Sequence, residues 1–253
     1  MSKTVLQPID LSIAVRDTFL VLRRAGPLFL VAAVLVVLPG TMAGNWVRTH
    51  PVFPTGLAAI FLQPALNFAA QLTPTGLHLA ATAWVTARIL DGDRVEPSDF
   101  ARAILTRGFP VVAVQVISGL AVMAGSFLLL VPGLMLLSAW AFAPQVMAVE
   151  GGGLPEAFRR SAAITKGRRW MVFGLMVAFL APVVILNCLL FKLSTGFGLS
   201  LVMATREPIN LYGVAPVMGA LVAVPSAVAM TALYCLFSDA KTSRADVTAE
   251  VFA

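Results

Sequence analysis

The sequence predicts an all-α, polytopic membrane fold, and three observations carry that prediction. Of its 253 residues, 59% are hydrophobic and only 12% charged, about half the roughly 25% charge of an ordinary soluble domain. The mean hydropathy is +0.90. The charges are also unevenly spaced, leaving uncharged runs at 25–47, 49–87, 108–149, 170–191 and 208–238. Together these exclude a soluble enzyme, which needs charge to cover its surface, and a disordered chain, which needs low hydrophobicity.

A bilayer core of about 30 Å takes roughly 20 helical residues. The runs accommodate six spans, near 27–46, 69–90, 108–131, 134–149, 170–191 and 211–238. Span one follows a polar stretch ending at Arg24, with no small-residue cleavage site close after the first apolar run, so a cleaved leader is not expected. The second run exceeds one crossing, and 55–68 reads as an outer-surface helix or as an extension of span two. The run 108–149 would be about 63 Å of helix, and Pro132-Gly133 divides it into a hairpin.

Placing the N-terminus in the cytoplasm puts 15 of the 18 Lys and Arg residues inside, the asymmetry that orients membrane proteins. Both termini are then cytoplasmic. Trp46, Trp84 and Trp170 fall near span ends, where amphipathic rings favour the headgroup level, while Trp140 falls mid-span and reads as a packing residue. Cys188 and Cys235 fall in opposite leaflets, so no disulfide is expected between them.

The inside segments resemble short amphipathic helices lying on the inner leaflet, each preceding a pair of spans. The first runs from Leu11 to Arg24 behind Asp10 as N-cap, with Leu11, Val15 and Leu22 on its apolar face. The second runs from Ser98, again a cap, to Arg107-Gly108. The third starts at Leu154-Pro155-Glu156, with proline in the first turn and an acid at the positive helix end, and stops at Lys166-Gly167. Ala14, Arg16, Thr18 and Arg23 align with Ala157, Arg159, Ser161 and Lys166. A threefold repeat of surface helix plus hairpin is the expectation. The whole chain forms a single membrane domain: a cytoplasmic segment 1–26, spans one to four in 27–150, a basic helix in 151–169, spans five and six in 170–238 and a tail, 239–253.

Three sets of residues are candidates for function. Arg159, Arg160, Lys166, Arg168 and Arg169 form a basic helix that snorkels to headgroups or recognises anionic lipid or a cytoplasmic partner. Asn67, Gln71 and His78 belong to a stripe of Gln63, Asn67, Gln71, Thr75, His78, Thr82 and Thr86, which either lines a polar groove or makes interhelical hydrogen bonds. Ala215, Gly219, Ala223 and Ala227 recur every four residues on span six, a small-residue face for helix packing within the protomer or across a homo-oligomer. Pro144, Pro182, Pro216 and Pro225 interrupt spans four to six.

The stretch 131–170 contains Val131-Pro132-Gly133, Trp140, Ala143-Pro144, Glu150, Ala157, Arg160-Ser161, Thr165-Lys166-Gly167 and Arg169-Trp170. With Tyr234…Asp239 closing span six, it resembles a bacterial multi-pass family named after the membrane domain of glycerophosphoryl diester phosphodiesterase. The resemblance implies an integral protein of the bacterial inner membrane. It does not imply phosphodiesterase activity, which belongs to a separate soluble barrel, and the sequence contains neither a metal-binding constellation nor a phosphate loop nor a nucleophile elbow. No span core holds a charged residue, which argues against an ion-driven pump. The expected role is therefore non-enzymatic and without cofactor: an accessory or scaffold protein that engages anionic lipid headgroups or a membrane complex. The alternative is a permease or lipid-translocating subunit. Nucleic-acid binding is not expected despite a pI near 10.0, because the cations flank membrane spans.

Overall fold

The computed structural model describes residues 11–178, apart from Pro54 and Leu129, together with 224–238 and the single positions 181, 185 and 189. The described residues are helical with short connections and contain no strand. In chain order the helices are α1 (Leu11–Ala32), a π-helical turn (Ala33–Val37), α2 (Leu38–Thr49), α3 (Gly56–Leu90), α4 (Pro97–Leu128), α5 (Leu130–Ala139), α6 (Ala143–Val149) and α7 (Leu154–Thr165). Two shorter apolar helices follow, α8 (Arg169–Ala178) and α9 (Val224–Ser238).

Three helical stretches are long and apolar enough to cross a membrane: Leu11–Gly44, Pro97–Ser126 and Val131–Val149, the last with a break at Trp140–Phe142. α3, where the second span is expected, is not among them. Its polar stripe dilutes its hydropathy, yet it is the innermost helix, and between Pro74 and Leu90 none of its residues is exposed. It supplies Ala80 and Ala83 to one hydrophobic cluster, with Val111, Phe142 and Leu233. Ala81, Val85 and Ile89 go to a second, with Phe29, Phe100 and Val228. Of the two readings of 55–68, the extension is the one observed: α3 is a single helix of 35 residues that runs through Pro64 and Pro74.

Glycines set how closely the neighbours approach α3. Gly40 of α2 lies directly against the Pro74 ring, and Gly44, one turn on, faces the Ala70 carbonyl. A Cβ at Gly76 would stand 2.7 Å from both Val112 and Gln115 of α4. These are backbone-to-helix contacts that any larger side chain would force apart.

Two of the three expected surface helices are not separate elements. The segment Leu11–Arg24 continues unbroken through Gly26 and Pro27, and Ser98–Arg107 continues through Gly108 and Pro110 into α4. The glycines explain this. Gly108 is a packing position, where a Cβ would meet Leu77 at 2.6 Å. Gly167, by contrast, has a φ of +83° and ends α7, as a C-terminal glycine does. Ser98 is not the cap of α4 either. The Glu96 N–H donates to the Asp99 carboxylate at 3.0 Å, so the acid in the first turn reaches back over the helix start. α1 buries Ala14, Val21 and Phe29 while Val15 and Phe19 are exposed, giving the helix apolar residues on both sides. At the α4–α5 hairpin, Pro132 and Gly133 lie in the first turn of the returning helix. There Gly133 packs on Ser126, and proline is tolerated because the first-turn N–H has no intrahelical partner.

Candidate functional site

The residues with polar chemistry converge at one end of the bundle, where α6, α7 and α9 meet the ends of α1 and α3. The local cause is a break in the helix before Pro144. Proline has no N–H to donate, and the chain turns through Trp140–Phe142 between α5 and α6, with the Ala143 N–H bonded to Trp140 O at 3.0 Å. This leaves the Ala139 carbonyl and the Phe142 N–H without helical partners inside an apolar bundle, a costly situation unless side chains complete the bonds. Ser161 of α7 does both: its hydroxyl donates to Ala139 O at 2.9 Å and accepts from the Phe142 N–H at 3.2 Å. The Thr165 hydroxyl also donates to Ala139 O, at 3.3 Å. Both side chains are buried. Trp140 packs against Phe158 with tilted rings, 4.8 Å between centroids, the packing role expected of it.

Glu150, the residue after Val149, closes the end of α6. Its carboxylate accepts from the Tyr234 hydroxyl of α9 at 2.6 Å and from the Arg160 guanidinium at 3.2 Å. Arg160 also donates to Ser238 at 3.4 Å. Arg107 of α4 donates to the Ala148 and Val149 carbonyls at 2.6 and 2.7 Å, placing a cation on the negative end of α6. Four helices are thus tied together by groups distant in sequence. Phe142 sits beneath, 6.3 Å from the Tyr234 ring and 5.6 Å from the Phe237 ring.

Beside this network lies a cleft of about 630 Å³. Arg16, Leu20 and Arg24 of α1 form one wall, Leu90 and Asp91 at the end of α3 another, and Glu150 and Tyr234 the floor.

The sequence candidates fall into different surroundings. Of the basic helix, Arg160 is turned inward onto Glu150, and Arg159 is exposed and paired with Glu156 at 2.6 Å. Lys166, Arg168 and Arg169 have no acidic partner among the described residues and lie beside the exposed Trp170. The polar stripe is largely occupied by protein. His78 is 1% exposed, with Nε2 3.3 Å from the Phe29 carbonyl and 3.4 Å from the Thr82 hydroxyl. Asn67 accepts from Gln63 at 2.9 Å, and Gln63 in turn accepts from the Phe53 N–H at 3.0 Å. Gln71 packs near Gly44. Of the small-residue face, Ala215, Gly219 and Ala223 lie outside the described residues. Ala227 is buried, and its carbonyl accepts from Thr231. Cys188 also lies outside the described residues.

Sequence reading missed the convergence of Glu150, Arg160 and Tyr234, and it missed Arg16, Arg24 and Asp91 as walls of one cleft. It also passed over Gly40 and Gly44, although their Gly-x-x-x-Gly spacing is a recognised packing signal.

The fold and surface define a class: an all-helical protein with an apolar exterior, three stretches suited to crossing a membrane, and polar groups gathered inside the bundle and at one end. Within that class the chain belongs to a family described as a domain of unknown function, DUF7847, whose model matches residues 99–238. That range begins in the first turn of α4 and ends at Ser238, so it takes in the Pro144 break and the whole Glu150 network. Neither a curated protein nor a solved structure matches the chain.

Proposed function

We propose that this is a six-span protein of the bacterial inner membrane with both termini cytoplasmic, acting without catalysis as an accessory or scaffold that engages anionic lipid headgroups or a membrane complex. The 15-to-3 distribution of basic residues supports the orientation. α3 counts as a span in this reading because its polar side is covered by protein and its length, about 52 Å at 1.5 Å per residue, exceeds the bilayer core. The kinship with the glycerophosphoryl diester phosphodiesterase membrane domain belongs to the same proposal. Its motif residues Glu150, Arg160, Ser161 and Tyr234 meet at one junction, a structural reason for them to occur together. The threefold repeat is best supported between its first and third units, where Ala14 and Ala157 are both buried.

The observation that carries the functional reading is the α7–α8 junction. Lys166, Arg168 and Arg169 have no acidic partner among the described residues, and the next residue, Trp170, is 74% exposed. Cations beside an exposed indole at the mouth of an apolar helix match the headgroup layer of an anionic leaflet. Each such cation is worth about 1 kcal/mol near that surface. Substituting Lys166, Arg168 and Arg169 together by Gln should lower the co-purified phosphatidylglycerol, measured by lipid extraction. Unaltered retention would remove the recognition claim. The contact of His78 with the Phe29 carbonyl of α1 favours interhelical bonding over a permease path, while Gln63 and Asn67 are engaged with each other within α3.

A further inference from the structure

We infer that the cleft between α1, the end of α3 and α9 binds the headgroup of a zwitterionic phospholipid bearing a primary amine, the phosphoethanolamine class. The inference concerns a different surface from the α7–α8 junction and needs only that the chain is membrane-embedded.

Two charges have no protein partner among the described residues: Arg24 and Asp91, which face the same 630 Å³ cleft from different helices and form no ion pair. The other charges of the walls are already engaged: Arg16 lies 3.7 Å from Asp17, and Glu150 is held by Tyr234 and Arg160. A purely anionic ligand would answer Arg24 and leave Asp91 repelled. A purely cationic ligand would do the reverse. A group carrying a phosphate and an ammonium a few bonds apart answers both, with Arg24 on the phosphate and Asp91 accepting from the ammonium, each a charge-assisted bond.

Two further features make the ligand a membrane lipid. The volume lies within the range of small-molecule sites, and the charges alternate with Leu20 and Leu90 on the walls. Leu20 is itself partly exposed, next to Phe19 at 72% exposure, so an acyl chain leaving the cleft meets an apolar helix surface rather than water. The ammonium has to carry an N–H to donate to Asp91, as a primary amine does and a trimethylated ammonium does not.

The test uses the full chain, purified in detergent and offered equimolar phosphatidylethanolamine, phosphatidylcholine and phosphatidylglycerol of identical acyl chains, with bound lipid read by native mass spectrometry. Phosphatidylethanolamine should dominate the adducts. Arg24→Gln and Asp91→Asn should each reduce it about tenfold, the effect of one lost charge-assisted contact. Both residues are exposed at the bundle end, so the variants should fold, as circular dichroism would verify. Equal binding of phosphatidylcholine or phosphatidylglycerol by the wild-type chain overturns the assignment, as does full retention by both variants. Displacement of the lipid by soluble glycerophosphoethanolamine at equal concentration would assign the cleft to a free solute instead, overturning the lipid claim. None of these arms depends on Lys166, Arg168 or Arg169, so this inference and the α7–α8 reading can fail separately.

Discussion

α3 and α4 pack against each other along much of their length, yet they reverse the usual rule for soluble proteins. α3 is the more polar and, from Pro74 to Leu90, the better buried, with His78 and Thr82 inaccessible and bonded to each other. α4 is apolar enough to cross a membrane, and only 17% of its most apolar stretch is buried. Leu105 and Phe109 are 84% and 81% exposed on it. In water this arrangement would leave a large apolar patch open and sequester polar groups at a cost. In lipid it is the stable one, because polar side chains need protein partners that hydrocarbon cannot supply. The contrast separates the surroundings of the two helices: α4 presents an apolar face outward, as a helix suited to acyl chains does, and the second half of α3 faces the rest of the protein.

Four substitutions test that contrast. The largest effect is expected at the α2–α3 contact. Gly40→Leu would push a side chain into the Pro74 ring and should destabilise the bundle by about 2–3 kcal/mol, the usual cost of overpacking. SDS-induced unfolding of the detergent-solubilised protein would report it. A wild-type midpoint would mean that α2 does not seat on α3 as described.

Ser161→Ala comes next. It strips the Phe142 N–H of its partner and leaves Ala139 O only the longer Thr165 bond, for a cost of about 1–3 kcal/mol per buried group left unsatisfied. Ser161→Thr keeps the hydroxyl and should recover part of the loss in the same unfolding assay. If alanine and threonine behave alike, the hydroxyl is not what holds the Pro144 break together.

Tyr234→Phe removes one donor from Glu150 while Arg160 remains, so about 1–2 kcal/mol is expected. Hydrogen exchange should speed up selectively at the ends of α6 and α9, and uniform exchange across the bundle would argue against a local tie.

Phe109→Ala should have the smallest effect, within about 0.5 kcal/mol in detergent, as for surface positions away from packed contacts. A loss comparable to that of Gly40→Leu would show that α4's outer face meets protein instead of acyl chains, and the comparison of the two helices would collapse.

Much of the fold is legible from charge spacing. Two of the five uncharged runs, 25–47 and 108–149, overlap the long apolar stretches at 11–44, 97–126 and 131–149, and the helix 154–165 begins and ends at the proline and glycine that mark it. The boundaries expected at Gly26-Pro27 and Gly108 are not there, since a glycine between basic and apolar segments has the same appearance whether it ends a helix or admits a neighbour. The difference lies in its φ and in what stands opposite. The candidate site was only partly legible. Arg159 and Arg160 are adjacent in sequence and were grouped as equals, yet one is solvated beside Glu156 and the other is drawn 78 residues along the chain to Ser238. Neighbours on a helix are set about 100° apart, so they face different surroundings.

By itself the sequence determined the helical class, the stretches apolar enough to cross a membrane and the places where charge could reside, because each follows from local composition and from the cost of placing charge in hydrocarbon. Only the tertiary structure decided which polar groups meet. Ser161 reaches a broken backbone 22 residues away, Glu150 meets Tyr234 across 84, and Arg24 and Asp91 face one cleft without touching. Such pairings depend on how helices cross and on where a missing Cβ lets them approach, and neither quantity is written in the spacing of one strand of residues.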